Sequence, residues 1–173
     1  MSPPPNLAHH SVRKVFAANS ATVHSLVRRY IKTAIGFLVL GLAIGTHILI
    51  RRELYLASSS QYEISAHTHA ILVGFVMMMI LGVALWLFPR ERGEEQRYNP
   101  TAANAAYWII TLGTAARIAG ELARVSSGSL WLRLVVVAGG VAQFVGIAVF
   151  FFTMWPRIRS AGSHVREARG ERF

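Results

Sequence analysis

Residues 66–90 of the chain read AHTHAILVGFVMMMILGVALWLFPR, and this stretch decides the kind of fold. The run from Ala70 to Phe88 contains no charged side chain. A helix of about 20 apolar residues is long enough to cross a lipid bilayer. The run therefore predicts a membrane span. Two histidines, His67 and His69, stand at its entrance, and polar residues there need an explanation.

The composition of the whole chain agrees with a membrane protein and excludes several other classes. Of 173 residues, 53% are hydrophobic, and the mean hydropathy is +0.41. The formal net charge of +10 could suggest nucleic-acid binding. However, the basic residues lie at the edges of apolar runs, where they orient spans, and are not interleaved with aromatic residues. The chain has no cysteine, which excludes disulfides, iron–sulfur clusters and thiolate ligands.

Four segments have the length and apolarity of transmembrane helices, so we predict an all-α integral membrane four-helix bundle. Strands are excluded because a lone hairpin of strands cannot satisfy its backbone groups in lipid. The third segment is the least apolar of the four. The predicted spans are residues 30–50, 67–88, 102–123 and 130–155.

The basic residues predict how these spans are oriented. Thirteen Lys and Arg flank the ends that share a side with both termini, against four at the opposite ends. Cytoplasmic segments are enriched in Lys and Arg, so both the N and C termini are expected in the cytoplasm. We therefore expect a multi-pass protein of the cytoplasmic (inner) membrane of a bacterium or archaeon. No secretory signal peptide is expected, because no clear cleavage site follows the first apolar run.

The chain is expected to divide into three parts around these spans. Residues 1–29 form a basic N-terminal segment that could be a helix lying on the inner membrane surface. Residues 30–156 form the four-helix transmembrane domain. Residues 157–173 form a basic cytoplasmic tail.

Polar side chains are expected to share one outer layer of this bundle. His47 lies about one turn from the outer end of the first span, and His67 and His69 open the second. Arg117 and Glu121 lie in the outer half of the third span, four residues apart, and so share a helix face. Three histidines and an Arg–Glu pair from three helices would thus converge at one depth.

This layer allows a structural and a functional interpretation. The histidines could cap a helix or bond to a neighbouring one, and Arg117 and Glu121 could form a structural ion pair. Charges inside a membrane are costly, however, which favours function. Two imidazoles facing each other across a bundle can hold a heme iron, and a nearby arginine can neutralise the heme propionates. Copper or zinc held by several histidines is the alternative.

Helix geometry narrows the choice of residues. Histidines two residues apart point about 200° apart, so we expect one of His67 and His69 to face the bundle. Gly74 lies almost on the same face as His67 and would leave room for a flat cofactor. The glycines Gly41 and Gly45 of the first span are instead more typical of plain helix packing.

The second span resembles the second helix of the catalytic subunit of heme–copper oxidases and nitric oxide reductases. In that family a histidine near the outer end binds the low-spin heme and is followed by an apolar run, a glycine and a proline. Here the same pattern reads His67, then Gly82, then VALWLFP ending at Pro89. The GVALWLFP end is especially similar to the nitric oxide reductase branch.

The resemblance implies that His67 is the axial ligand of a heme, and the lack of a CxxCH motif makes this heme b. His47 is the expected second ligand, and His69 is the other candidate within the chain. If neither reaches the iron, it is five-coordinate or the site lies between subunits. Arg117 is expected to pair with a propionate, and Glu121 to orient Arg117 or a ligand. The family's remaining heme and copper ligands lie on later helices that this sequence lacks. We therefore expect a small relative of the family with no independent catalysis.

The expected function is electron transfer, or the binding of a small gas such as nitric oxide or oxygen. Two other hypotheses remain open: a cofactor-free structural or assembly subunit with an oxidase-like fold, and a copper or zinc site built from His47, His67 and His69. Expected partners are membrane lipid, further copies of the chain in a homo-oligomer, and a redox partner protein. No nucleic acid is expected.

Overall fold

The computed structural model describes residues 7–88 and 99–155, with side chains for 25–88, 99 and 101–155. Within these ranges the regular structure is entirely helical, as predicted, and forms four rods. The second rod is continuous over residues 61–87 and contains a π-helical segment between two α-helices. In chain order the elements are α1 (Leu7–Leu54), α2 (Gln61–His69), the π segment (Ala70–Met77), α3 (Met78–Leu87), α4 (Pro100–Ala123) and α5 (Leu130–Met154).

Three rods are long and apolar enough to cross a membrane: Ser25–Leu54, Gln61–Leu87 and Leu130–Met154. The remaining helix, α4, has 24 residues but is less apolar, and it contains Arg117 and Glu121. The four helices and three of the spans thus agree with the sequence-based prediction. The crossing by α4 and the cytoplasmic location of both termini remain predictions.

The observed helices begin earlier than the sequence pattern suggested. The first helix extends back to Leu7, so residues 7–24 continue α1 directly. The tail (157–173) and residues 1–6 lie outside the described ranges. The second rod begins at Gln61, so His67 and His69 lie inside the helix and do not open it.

A capping box sets this earlier start of α2. The backbone N–H of Ser60 donates to Oε2 of Glu63 at 2.8 Å, and the N–H of Tyr62 donates to Oγ of Ser60 at 3.2 Å. This reciprocal pair satisfies backbone donors that a helix start leaves free. At the other end of the rod, Phe88 is extended (φ −70°, ψ 131°), as expected for a residue that precedes a proline.

The four rods pack as two hairpins. The first hairpin is α1 against the second rod, and the second hairpin is α4 against α5. In the second hairpin the helix backbones approach closely: a Cβ on Gly139 would lie 2.8 Å from the Gly113 carbonyl oxygen. Such close approach is typical of small residues at interfaces between membrane helices.

An aromatic core joins the two hairpins at the end away from His47, His67 and His69. The Tyr30 ring makes edge contacts with Tyr107 and Phe150, at centroid distances of 5.1 and 5.8 Å. The hydroxyls of Thr33 and Tyr107 are hydrogen-bonded at 2.8 Å. At the opposite end of the bundle, which contains the candidate site, Ile118 of α4 packs in a buried apolar cluster with Phe37, Ile44, Ala66 and Ala70 of the first hairpin. Polar contacts between α2 and α4 add to this cluster.

Candidate functional site

His67 is held against α1 by a hydrogen bond and by a glycine. Its Nδ1 lies 2.8 Å from the carbonyl oxygen of Gly41. A carbonyl can only accept, so Nδ1 carries the proton and Nε2 has the lone pair. The ring lies directly over Gly45, where a Cβ would be 2.7 Å from Cε1. Among the described residues, no hydrogen bond engages Nε2.

An open groove of about 220 Å³ lies beside this imidazole, between α1 and α2. Its walls are mostly apolar, with one cation and the His67 ring. A histidine whose Nδ1–H is held by a backbone carbonyl beside an accessible space is arranged as metal-ligating histidines are. The lining residues are Gly45, Ile48, Leu49, Arg52, Ile64 and His67.

His69 lies on the opposite flank of α2, as the spacing of the two histidines predicts. Its Nδ1–H donates to the carbonyl oxygen of Ser65 at 2.8 Å. The same nitrogen lies 3.8 Å from Oε2 of Glu121 on α4. His67 therefore belongs to the interface between α1 and α2, and His69 to the interface between α2 and α4.

Glu121 is the centre of a buried polar network between α2, α4 and α5. It is 2% exposed. Its Oε1 accepts from Oγ of Ser65 at 2.8 Å and from Nε of Arg117 at 3.1 Å. Arg117 also donates to Gln143 at 3.3 Å, and Gln143 donates to Thr114 at 3.1 Å. The predicted Arg–Glu pair is thus present, and it is embedded in a larger network.

One oxygen of this network stands apart. Oε2 of Glu121 is buried and has no hydrogen-bond partner among the described residues. Nδ1 of His69 lies 3.8 Å from this oxygen. The Arg117 guanidinium donates hydrogen bonds to Glu121 on α4 and to Gln143 on α5. These bonds hold it at the interface of α4 with α5.

His47 lies away from the groove. Its side chain is 62% exposed, and its Nε2 lies 3.9 Å from Oε1 of Glu63. The same carboxylate oxygen accepts a hydrogen bond from Arg51 at 2.8 Å. His47 is not among the residues that line the groove beside His67.

The space next to Gly74 is filled by a side chain of α1. A Cβ on Gly74 would lie 2.5 Å from Cγ of Phe37. Gly74 is buried in the π segment. Its observed role is therefore to let the Phe37 ring pack closely against the second rod.

The five polar residues expected in one layer therefore separate into distinct places. His67 lies in the groove, His69 contacts the Glu121 network, and His47 lies beside Glu63. Within residues 25–88 and 99–155 no three histidines or carboxylates come together as metal ligands. The copper or zinc site proposed from His47, His67 and His69 thus finds no support in this part of the chain.

The sequence did not predict several residues of the groove and of the Glu121 network. Arg52 is one of the four basic residues at the outer ends of the predicted spans, and it also lines the groove with His67. Ser65, Thr114 and Gln143 all bond within the buried network. Gln143 was detectable, because an amide in the middle of a long apolar span usually has a partner.

Comparison with known proteins identifies the family of this chain. Residues 25–167 match the family described as Cytochrome C and Quinol oxidase polypeptide I. This match covers most of the chain, and the chain belongs to that family. The resemblance inferred from the second span is thereby confirmed.

A curated relative matches part of the chain. This is the Cbb3-type cytochrome c oxidase subunit CcoN1 of Stutzerimonas stutzeri, 25% identical over 118 residues. The match covers 55% of this chain and 25% of the relative, so the chain spans about a quarter of that protein's length. No solved structure gives a significant match.

Proposed function

We propose that this chain binds heme b through Nε2 of His67 and acts in membrane electron transfer. The observation that carries the proposal is the hydrogen bond from His67 Nδ1 to the Gly41 carbonyl. That bond fixes the tautomer and leaves Nε2 able to bind iron. Membership of the oxidase family supports the same assignment.

The residues of the groove fit a heme. Ile48, Leu49 and Ile64 offer an apolar wall for the porphyrin face, and Gly45 leaves room for the His67 ring to pack against α1. Arg52 offers a cation for a propionate. It now pairs with the neighbouring Glu53 at 2.8 Å, in a contact where both side chains are exposed. Exposed ion pairs contribute little, so Arg52 can exchange this partner at small cost.

Arg52 therefore takes the propionate role that the sequence suggested for Arg117. Arg117 is engaged by Glu121 and Gln143 on the far side of α2. We propose a structural role for this pair and for His69 beside it.

A bound heme supplies one-electron redox chemistry or an iron that binds a gas, depending on whether its sixth position is filled. The chain's own residues then have three tasks. His67 would hold the iron through Nε2, the Gly41 carbonyl would keep the orientation of that ring, and Arg52 would neutralise a propionate carboxylate. A filled sixth position favours electron transfer. An open position favours binding of nitric oxide or oxygen.

The membrane setting belongs to the same proposal. We place both termini in the cytoplasm, from the excess of Lys and Arg on that side. In this orientation the groove lies towards the outer face of the inner membrane. The relative is named as an oxidase subunit, which suggests a redox partner protein for this chain.

An absorption spectrum of the detergent-purified protein, oxidised and then reduced with dithionite, tests the proposal. A pyridine hemochrome assay identifies the heme type. We expect a Soret band and the hemochrome of heme b. Sharp reduced α and β bands would indicate six-coordinate iron, and a shift with carbon monoxide would indicate an open position.

His67→Ala should abolish heme retention, because it removes the axial nitrogen. His69→Ala is the matched control, since it lies on the same helix but on the opposite flank, and it should keep the spectrum. Absence of heme from the wild-type protein, even when heme is supplied during expression, would refute the proposal. A cofactor-free structural subunit would then be the better interpretation.

A further inference from the structure

We propose that the heme site is completed by a second copy of this chain, with each copy supplying one His67 and one Arg52. This inference rests on the proposed function and adds the partner. The two copies would be related by a two-fold axis through the iron.

The groove covers one side of a ligand only. Its volume is about 220 Å³, and it is open to the outside of the bundle. Pockets that enclose a drug-sized ligand have about 300–1,000 Å³ and bury most of its surface. A heme is at the large end of such ligands. The α1–α2 wall can therefore contact one porphyrin face, and the other face needs a second wall.

The described residues provide one imidazole to this groove. His69 points to the other flank of α2 and is held by Ser65. His47 is directed to Glu63 and does not line the groove. In a six-coordinate heme, the second axial ligand would therefore come from outside this wall.

The groove supplies one imidazole and one guanidinium, which is half the number of groups that a six-coordinate heme with two propionates would engage. A heme has two axial positions and two propionates, and a two-fold axis in its plane exchanges the members of each pair. A two-fold interface uses the same surface from both copies. One imidazole and one guanidinium per wall thus become two axial ligands and two cations.

Charge also favours this pairing. Two Arg52 side chains facing each other without a ligand would repel, and each copy already carries a net charge of +10. Two propionates between them would balance the two guanidinium groups. The heme would therefore be required for the contact between the copies.

The flank around the groove is suited to contact with another apolar helix. Leu42, Leu49 and Ile64 are 56%, 53% and 42% exposed. All three are large apolar side chains of the first hairpin, and Leu49 and Ile64 line the groove. In a dimer they would pack around the heme and exclude water and lipid from it.

Native mass spectrometry of the purified protein, with heme quantified by the hemochrome assay, tests the stoichiometry. We expect a dimer with one heme per two chains and an electron paramagnetic resonance signal of low-spin iron with two histidine ligands. A monomer with one heme per chain would overturn this inference and leave the proposed function intact. Absence of heme in every preparation would overturn both.

Mixed dimers test the shared ligand directly. Wild type and His67→Ala, carrying different tags, are expressed together and purified through both tags. We expect the mixed dimer to keep heme but to show five-coordinate high-spin iron, because one axial nitrogen is missing. A mixed dimer of wild type with His69→Ala should stay low-spin. Low-spin six-coordinate iron in the His67→Ala mixture would overturn the inference.

Charge reversal supplies a readout that is independent of the spectrum. Arg52→Glu should convert the dimer to heme-free monomer, while circular dichroism shows unchanged helix content. Arg133→Glu is the control, because it reverses an exposed arginine on the second hairpin. Dimer and heme that survive Arg52→Glu would count against the inference.

Discussion

Glycine at position 45 sets where the His67 ring can lie. A Cβ added there would approach Cε1 and Nδ1 of His67 to 2.7 and 2.9 Å. Gly45→Ala should therefore displace the ring, strain its bond to the Gly41 carbonyl and reduce heme content. Gly36→Ala is the matched control on the same helix, since a Cβ there meets nothing within 4 Å. Equal heme content in both variants would show that the ring position does not govern binding.

The Arg117–Glu121 pair is the residue-scale test of stability. Removing one partner of a buried ion pair costs about 3–5 kcal/mol, because the other charge is left buried. We expect Arg117→Leu to lower the free energy of unfolding by an amount near this range. The double variant with Glu121→Leu should lose less than the sum of the two single variants. A cycle of thermal unfolding measurements in detergent gives the coupling, and strict additivity would contradict it.

The position of a side chain was predictable where it depends on spacing along one helix. It was not predictable where it depends on how two helices pack. Four-residue spacing on one helix was enough to pair Arg117 with Glu121. The spacing of His67 and His69 was enough to direct them to opposite flanks. The position of His47 depends on how α1 is rotated against α2, and no local pattern encodes that rotation.

At the scale of elements, the second rod shows what the hydropathy pattern misses. The apolar run marked the span, but the helix begins at the Ser60–Glu63 capping box, six residues before His67. The π segment (Ala70–Met77) was not predicted either. Its composition is that of any apolar helix, so no local pattern marks the wider turn. Such segments are often found near functional sites, and this one begins directly after His69.

The close contact between α4 and α5 predicts that a larger residue at position 139 would separate the two helices. A Cβ at position 139 would meet the Gly113 carbonyl oxygen at 2.8 Å and the Arg117 backbone nitrogen at 2.9 Å. Backbone atoms cannot yield as a flexible side chain does, so Gly139→Ala should push the helices apart. Overpacking of this kind costs about 1–3 kcal/mol. Thermal unfolding followed by circular dichroism should show a lower Tm than for Gly36→Ala, and equal values would contradict the prediction.

At the scale of the whole molecule, the orientation can be tested because the chain has no cysteine of its own. Single cysteines can be introduced at Ser58, which is exposed between α1 and α2, and at Ser160 in the C-terminal tail. A membrane-impermeant thiol reagent should label Ser58→Cys in intact cells and Ser160→Cys only after permeabilisation. The reverse pattern would place both termini outside.

The helices and the family were predictable from the sequence, but the way in which the helices pack together was not. The apolar runs predicted the helices, and the motif from His67 to Pro89 predicted the family that residues 25–167 match. The division into two hairpins, and the separation of His67 from the Glu121 network, depend on contacts between distant residues. Those contacts leave no periodic mark in the sequence.

The division into hairpins has a consequence for how the site is built. Every residue that lines the groove, and the carbonyl that orients His67, belongs to the first hairpin. The contacts of the second hairpin with the first include the Tyr30 core, the packing of Ile118 and the bonds Ser65–Glu121 and Tyr62–Arg124. The ligand-bearing wall is thus a portable unit of two helices. A designer could graft it onto a different helical scaffold without carrying over α4 or α5.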